Sequence, residues 1–432
     1  MVPSCKNLGL LIGGFTLNLV NYIKVAGCQI SWGTFLPYIA SYFYLSDHLI
    51  TIADFSIVPF IGKLSECLSN FLISYLSNFI SLYTIVLIYS SIGCLLIFSS
   101  SYILNPILFS WVFGLAVGLL ASGIFLPCVW ITWNYLPENK AISSGLMLAG
   151  YSGGTVPFGI LFTMIVNPHN HSPGENEDDN ESELFGKEVA ERVPMTIQWL
   201  SICYFSLIVI GLILIPRKAK IPESAQTTKK NKNFKEVIKM RLFWNIFFMM
   251  LLSMGTQQYV FVFYKVVALQ YIKDDYYSSF IGTISFFFGT IGRMVFGVLL
   301  SKIYWKKIMS LVHFTVTLIL VSFWFALEDK ALYGFFLVLF VFLTSSYYNN
   351  SLLQAQKAFP DNKNAISGIS ISLLFSYFIP YLIDKILTPY VGYLGSFLLV
   401  ASFGIILIIQ LIFYDEPKAG NLIEDCEAEQ ID

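Results

Sequence analysis

Twelve stretches of this 432-residue chain are long and apolar enough to cross a lipid bilayer as helices, and that repetition constrains the fold more than any other feature. They cover 8–31, 50–74, 82–100, 107–133, 141–166, 195–215, 242–267, 277–301, 306–327, 332–356, 364–387 and 390–414. About 20 apolar residues span the hydrocarbon core as a helix, and inside lipid a helix satisfies its own backbone hydrogen bonds. Hydrophobic residues make up 56% of the chain and charged ones 12%, about half the charged share of a soluble domain. Lipid accepts such a surface and water does not. Most gaps between spans are short, so consecutive spans run antiparallel. The expected fold is an all-α membrane protein with twelve transmembrane helices.

Two gaps are long. Residues 167–194 carry a run of acids (Glu175, Glu177, Asp178, Asp179, Glu181, Glu183, Glu188, Glu191) and two glycosylation sequons, Asn170-His171-Ser172 and Asn180-Glu181-Ser182. Residues 216–241 carry nine basic residues against Glu223 and Glu236. Twelve spans with a cytoplasmic N-terminus place this basic linker inside, together with Lys302, Lys306, Lys307, Lys357 and Lys363, and place the acidic loop outside, as the positive-inside bias requires. The first apolar stretch is too long for a signal peptide and lacks a clear cleavage site, so it reads as the first span. The expected organisation is a six-helix bundle over 1–215, a cytoplasmic basic linker over 216–241, a second six-helix bundle over 242–414 and an acidic cytoplasmic tail over 415–432. An integral multi-pass protein follows, most naturally of the plasma membrane, with an organelle membrane as the alternative.

Seven cysteines are present, five of them inside apolar runs and none in a CxxC pair, which fits small buried hydrophobes rather than a disulfide or metal framework. No nucleophile–base cluster, metal-ligand spacing or phosphate-binding glycine loop appears. The chain is therefore not expected to be an enzyme, to need a cofactor or to bind nucleic acid.

An internal repeat sets the architecture. Residues 137–145 read PENKAISSG and residues 360–368 read PDNKNAISG, with identities Pro137/Pro360, Asn139/Asn362, Lys140/Lys363, Ser144/Ser367 and Gly145/Gly368. Both copies lie between the fourth and fifth spans of their half. Two parallel six-helix repeats follow, related by an axis along the membrane normal. Gly297-Val298-Leu299-Leu300-Ser301-Lys302, followed by Lys306-Lys307, resembles the loop motif of the major facilitator superfamily between helices 8 and 9. The matching first-half loop is degenerate, with Ser74, Leu76 and Asn78 at the motif positions. Within the superfamily the chain resembles monocarboxylate transporters and oxalate/formate antiporters, through Ser31-Trp32-Gly33-Thr34-Phe35-Leu36-Pro37, the SGLMLAGYSGG run at 144–154, and Gly292-Arg293 with Gly297. That resemblance implies a secondary or facilitative transporter moving a monocarboxylate or related organic anion by alternating access. It would act as a monomer, with a co-transported proton. A transporter for a neutral metabolite or drug, or a transporter-like receptor or scaffold that moves nothing, stands as the alternative.

Ionisable residues inside lipid are costly and mark function. Lys24, Asp54, Lys63, Glu66, Arg293 and Asp384 stand out. By resemblance Arg293 binds a substrate carboxylate, which its planar, permanently charged fork suits. Gly289 stands where monocarboxylate transporters carry an Asp, and 364–383 lacks the Lys of the oxalate branch, which argues against a dianion. Lys24 has no countercharge on its own helix and needs an anion or a carboxylate from elsewhere. Lys63 and Glu66 share a helix face, so they pair with each other or leave Glu66 as a proton-coupling residue. Asp54 and Asp384 lie near span ends and read as solvated. Gln257, Tyr259, Tyr348 and Asn349 are neutral groups able either to bond a solute or to link helices.

The orientation is checked by impermeant thiol labelling of single cysteines. One placed in 167–194 and one placed in 216–241 are expected to react from opposite faces of the intact membrane; labelling of both from one side would refute it.

Overall fold

Helices begin where a cap is available and run on where the chain stays apolar. In a computed structural model of the protein, residues 5–20, 32–136, 146, 147, 150, 154–174, 184–217, 234–300, 303–359 and 363–414 are described, and no strand occurs among them. Helix α1 is Cys5–Val20, α2 Trp32–Tyr44, α3 Val58–Leu76, α4 Leu82–Ser100, α5 Pro106–Tyr135, α6 Thr155–Val166 and α7 Val193–Leu214. Then follow α8 Arg241–Tyr271, α9 Asp275–Leu300, α10 Trp305–Ala326, α11 Lys330–Thr344, α12 Tyr347–Ala358, α13 Lys363–Ser376, α14 Ile379–Ile386 and α15 Thr388–Ile412. Ser81 caps α4 by accepting from the Thr84 amide, and Asn105 caps α5 by accepting from the Leu108 amide, with Pro106 at the first helical position.

Nine helices among the described residues are long and apolar enough to cross a membrane, and each falls on an expected span. Each of the other three expected spans holds a shorter apolar helix: Gly9–Val20, Pro157–Val166 and Lys330–Thr344. The PENKAISSG copy, Pro360 to Asn362 of the second copy, Ser301 and Lys302, most of the basic linker and the acidic tail lie outside the described residues.

The structure corrects three boundaries. Residues 32–49 lie between the first two expected spans, but their first part is the largely buried helix α2, which runs through Pro37. The expected span 332–356 breaks at Ser345 and Ser346. There Thr344 and Ser345 turn their hydroxyls back onto the Phe340 and Phe342 carbonyls, at 2.9 and 2.7 Å, in competition with the helix ladder. The expected span 364–387 breaks before Pro380, which cannot donate to the carbonyl one turn back. Helix α15 is bent at Gly392, whose φ of 67° suits glycine alone.

Contacts group the chain into two compact units. The first comprises Met1–Thr227, Phe261–Thr290 and Leu327–Val338; the second comprises Thr228–Val260, Ile291–Ala326 and Leu339–Asp432. In the first, α5 is the central packing helix, flanked by α3 and α4, while α1 packs on α7. Gly114 and Gly118 of α5 face α3, and Ser65 of α3 donates to the Leu115 carbonyl at 3.0 Å. Lipid offers no hydrophobic drive between helices, so close backbone approach through small residues supplies the attraction. In the second unit, α10 packs along α15. Large apolar side chains such as Phe71, Leu95, Ile213, Phe325 and Phe413 remain exposed, as a lipid-facing surface requires.

A methyl at Gly118 would meet the Gly62 carbonyl oxygen at 2.5 Å, a backbone atom that cannot swing away, whereas one at Gly9 meets no heavy atom within 4 Å. Gly118→Ala is expected to destabilise the protein by about 1–3 kcal/mol, and Gly9→Ala to leave stability unchanged or slightly raised. Thermal unfolding in detergent reads the difference.

Candidate functional site

Among the described residues, the most confined charges lie in the first unit. Helices α8 and α9 are joined by the short turn 272–274, in which Lys273 takes a left-handed φ of 51°. The hairpin sets Lys265, late in α8, against Asp275, the first residue of α9, and each is 0% exposed. Lys265 Nζ lies 2.7 Å from Asp275 Oδ1. It also donates to Tyr38 Oη and Ser279 Oγ, both at 2.8 Å, and stands 4.2 Å from the Tyr38 ring centre. Asp275 Oδ2 accepts from Tyr38 Oη at 2.5 Å and from Asn167 Nδ2 at 2.7 Å. Thr163 Oγ1 donates to Ser279 Oγ at 2.8 Å. The ammonium thus has two hydroxyl acceptors besides the ion pair, and the carboxylate has two donors on Oδ2, which helps the interior tolerate the buried pair.

The surrounding seam is also hydrogen-bonded. Thr34 and Tyr264 share a hydroxyl–hydroxyl bond of 2.7 Å, and Tyr333 donates to the Tyr264 carbonyl at 2.5 Å. Asn170, at a left-handed φ of 53°, accepts from the Tyr276 amide at 2.8 Å and donates to Asp274 at 3.3 Å. Ser172 donates to the Lys273 carbonyl at 2.6 Å, and Tyr276 to that of Pro168 at 2.7 Å. Burial raises the Asp274 carboxyl, but hydrogen bonds from Lys330, the Tyr277 amide and Asn170 outweigh it and hold the group below its ordinary value.

In the second unit, Arg293 is half-buried on α9 and lines a cavity of about 250 Å³ with Ser346, Asn350 and Gln356 and the apolar Phe296, Leu300 and Leu353. The close approach of α9 to the end of α11 brings these groups together, since a methyl at Gly292 would meet the Phe342 carbonyl at 2.5 Å. Asn350 donates to Ser346 Oγ at 3.1 Å. His313 Nδ1 and Tyr347 Oη lie 3.1 Å apart and buried.

Of the other residues singled out in the sequence, Gln257 donates to the Thr344 carbonyl at 2.8 Å, beside the break between α11 and α12. Tyr259 is buried edge-on against Phe397, ring centres 5.4 Å apart. Tyr348 is 39% exposed, and Asn349 lies in the first turn of α12. Glu66 is buried and bound to Lys63 at 3.0 Å. Lys24 lies outside the described residues. Asp54 closes a capping box with Thr51. Asp384, expected at a solvated end, is instead 2% exposed, because the helix break before Pro380 starts a strongly amphipathic turn that carries Asp384 on its buried face. Lys265 and Asp275 escaped the sequence reading: one stood at the last turn of an expected span, the other in the turn after it. Their ten-residue separation across a hairpin was the available signal.

Lys265→Met leaves a buried carboxylate uncompensated and is expected to destabilise the protein by about 3–5 kcal/mol. Lys265→Met with Asp275→Asn removes both charges yet keeps an acceptor for Tyr38 and Asn167, and is expected to recover most of the loss in a thermal unfolding measurement.

Comparison with known proteins gives the family. The model of the Major Facilitator Superfamily matches residues 10–378. A comparison with curated protein sequences gave no match. The fold is similar to the crystal structure of the nucleoside transporter NupG, at a TM-score of 0.67 and 14% identity, covering 95% of this chain and 100% of that one. It is also similar to a bacterial homologue of the human lysosomal transporter Spinster in an inward-facing, occupied conformation, at a TM-score of 0.65 and 14% identity, covering 94% of this chain and 95% of the other. The family and these folds point to a membrane transporter rather than an enzyme. The chain, a multi-pass all-helical membrane protein, belongs to the Major Facilitator Superfamily.

Proposed function

We propose that this transporter carries a small organic anion, a monocarboxylate or a relative of one, through twelve spans arranged as two six-helix halves that alternate access to the two sides. The observation that carries this reading is Arg293. An Arg facing lipid at that depth would be unfavourable by several kcal/mol, and this one opens on a cavity that also holds Ser346, Asn350 and Gln356. A guanidinium beside neutral amides and a hydroxyl is a fitting receptor for a carboxylate: the fork binds both oxygens and the neutral groups bond the remainder of the solute. Gly289 and Gly297 stand four residues before and after, so no acid on its own helix one turn away competes for the guanidinium.

In this reading Lys24, Tyr348 and Asn349 complete the solute path, and Gln257 and Tyr259 shape it. Glu66 is the proton-coupling site, taking up a proton when Lys63 releases it. The protein works as a monomer, most naturally in the plasma membrane.

A second reading, a neutral solute, rests on Gln258. This side chain is fully buried on α8, and among the described residues neither of its amide atoms has a hydrogen-bond partner. An amide in that state favours a ligand with paired donor and acceptor groups.

Uptake into proteoliposomes decides between them. With an anion as solute, Arg293→Lys is expected to lower uptake at least about tenfold, since the bidentate fork is lost while the charge stays, and Arg293→Gln to abolish it with the unfolding midpoint retained. Normal anion uptake by folded Arg293→Gln protein would remove the anchor role, and wild-type uptake confined to neutral solutes would favour the second reading.

A further inference from the structure

We propose that Tyr38, Thr163 and Asn167 form an uncharged latch that seals one end of the transport path against the Lys265–Asp275 hairpin, and that this latch opens in each cycle without separating the two charges.

The placement of charge carries the inference. Both members of the buried pair lie on one hairpin, ten residues apart, α8 contributing Lys265 and α9 contributing Asp275. What reaches them from α2 and from α6 and its C-terminal cap is neutral: the Tyr38 hydroxyl, the Thr163 hydroxyl by way of Ser279, and the Asn167 amide. The same asymmetry holds along the seam. Thr34, Asn170, Ser172 and the Pro168 carbonyl, all uncharged, bond to Tyr264, to Asp274 and the Tyr276 amide, to the Lys273 carbonyl and to the Tyr276 hydroxyl.

Had the lysine stood on α2 and the aspartate on α9, opening this seam would strip an ion pair apart in a medium of low dielectric constant, a prohibitive step. With both charges on the hairpin, opening releases two donors from a carboxylate that Lys265 still neutralises, and entering water takes the vacated positions. Tyr38 is suited to the task because its hydroxyl donates to Asp275 and accepts from Lys265 at once, so a single side-chain departure frees both partners. The arrangement lets the seam part without separating an ion pair.

This inference rests on the alternating-access reading but on no particular solute. The test therefore reads accessibility without any solute, so that loss of the Arg293 anchor role would leave it intact. In full-length protein with its native cysteines replaced, Thr34→Cys places a thiol on the seam, at a position 4% exposed. An impermeant maleimide is applied in proteoliposomes from the side bearing the 167–194 loop. Tyr38→Phe and, separately, Asn167→Ser are each expected to speed labelling of this thiol by about tenfold, the change given by a bond of about 1.4 kcal/mol. Unchanged labelling in both variants, with native unfolding midpoints, would overturn the latch. So would loss of the unfolding transition in both, because contacts that part every cycle cannot be what the fold needs to form.

Discussion

A lysine and an aspartate with no exposed surface, held 2.7 Å apart in a chain that crosses lipid, set the terms for everything around them. Each charge taken from water alone is costly by several kcal/mol, and mutual attraction offsets this only when every remaining proton and lone pair is used. Around Lys265 and Asp275, Tyr38, Asn167 and Ser279 supply such partners, with Thr163 behind Ser279. The pair lies beside the turn at 272–274, where α2 and the polar C-terminal end of α6 reach it.

The second unit solves a related problem differently. Two of its spans are interrupted, at Ser345–Ser346 and before Pro380, and interrupted helices leave backbone groups that lipid cannot satisfy. Gln257 meets one of them by donating to the Thr344 carbonyl. The same interruption gathers Ser346 and Asn350 around Arg293, so the break that disturbs the helix also supplies the polar lining of its cavity. Breaks of this kind beside a charged residue are where solute sites form in transporter folds.

The helical membrane fold was legible because lipid leaves few solutions: apolar runs of sufficient length must be helices. The pairing of Lys63 with Glu66 was legible too, as a three-residue separation places both on one face. What hydropathy did not show was a helix at 32–44, because Pro37 lies inside it and Thr34 and Ser41 interrupt its apolar residues. Nor could it show the buried pair: a lysine at the edge of a span looks like a snorkelling anchor and an aspartate in a short turn looks solvated. Only the hairpin geometry places them inside together. Asp384 was misjudged for the same reason, since its burial follows from a helix break and not from its position along an apolar run.

In the proposed cycle the seam between the 167–172 segment and the 273–276 turn parts during transport. Spin labels at His169 and Lys273, both exposed and on opposite sides of that seam, report its width directly by pulsed electron spin resonance in lipid. Two distance populations are expected, one matching the closed seam of this structure and one longer, with their proportions shifting when solute is added. A single short distance under every condition, in protein that still transports, would contradict it.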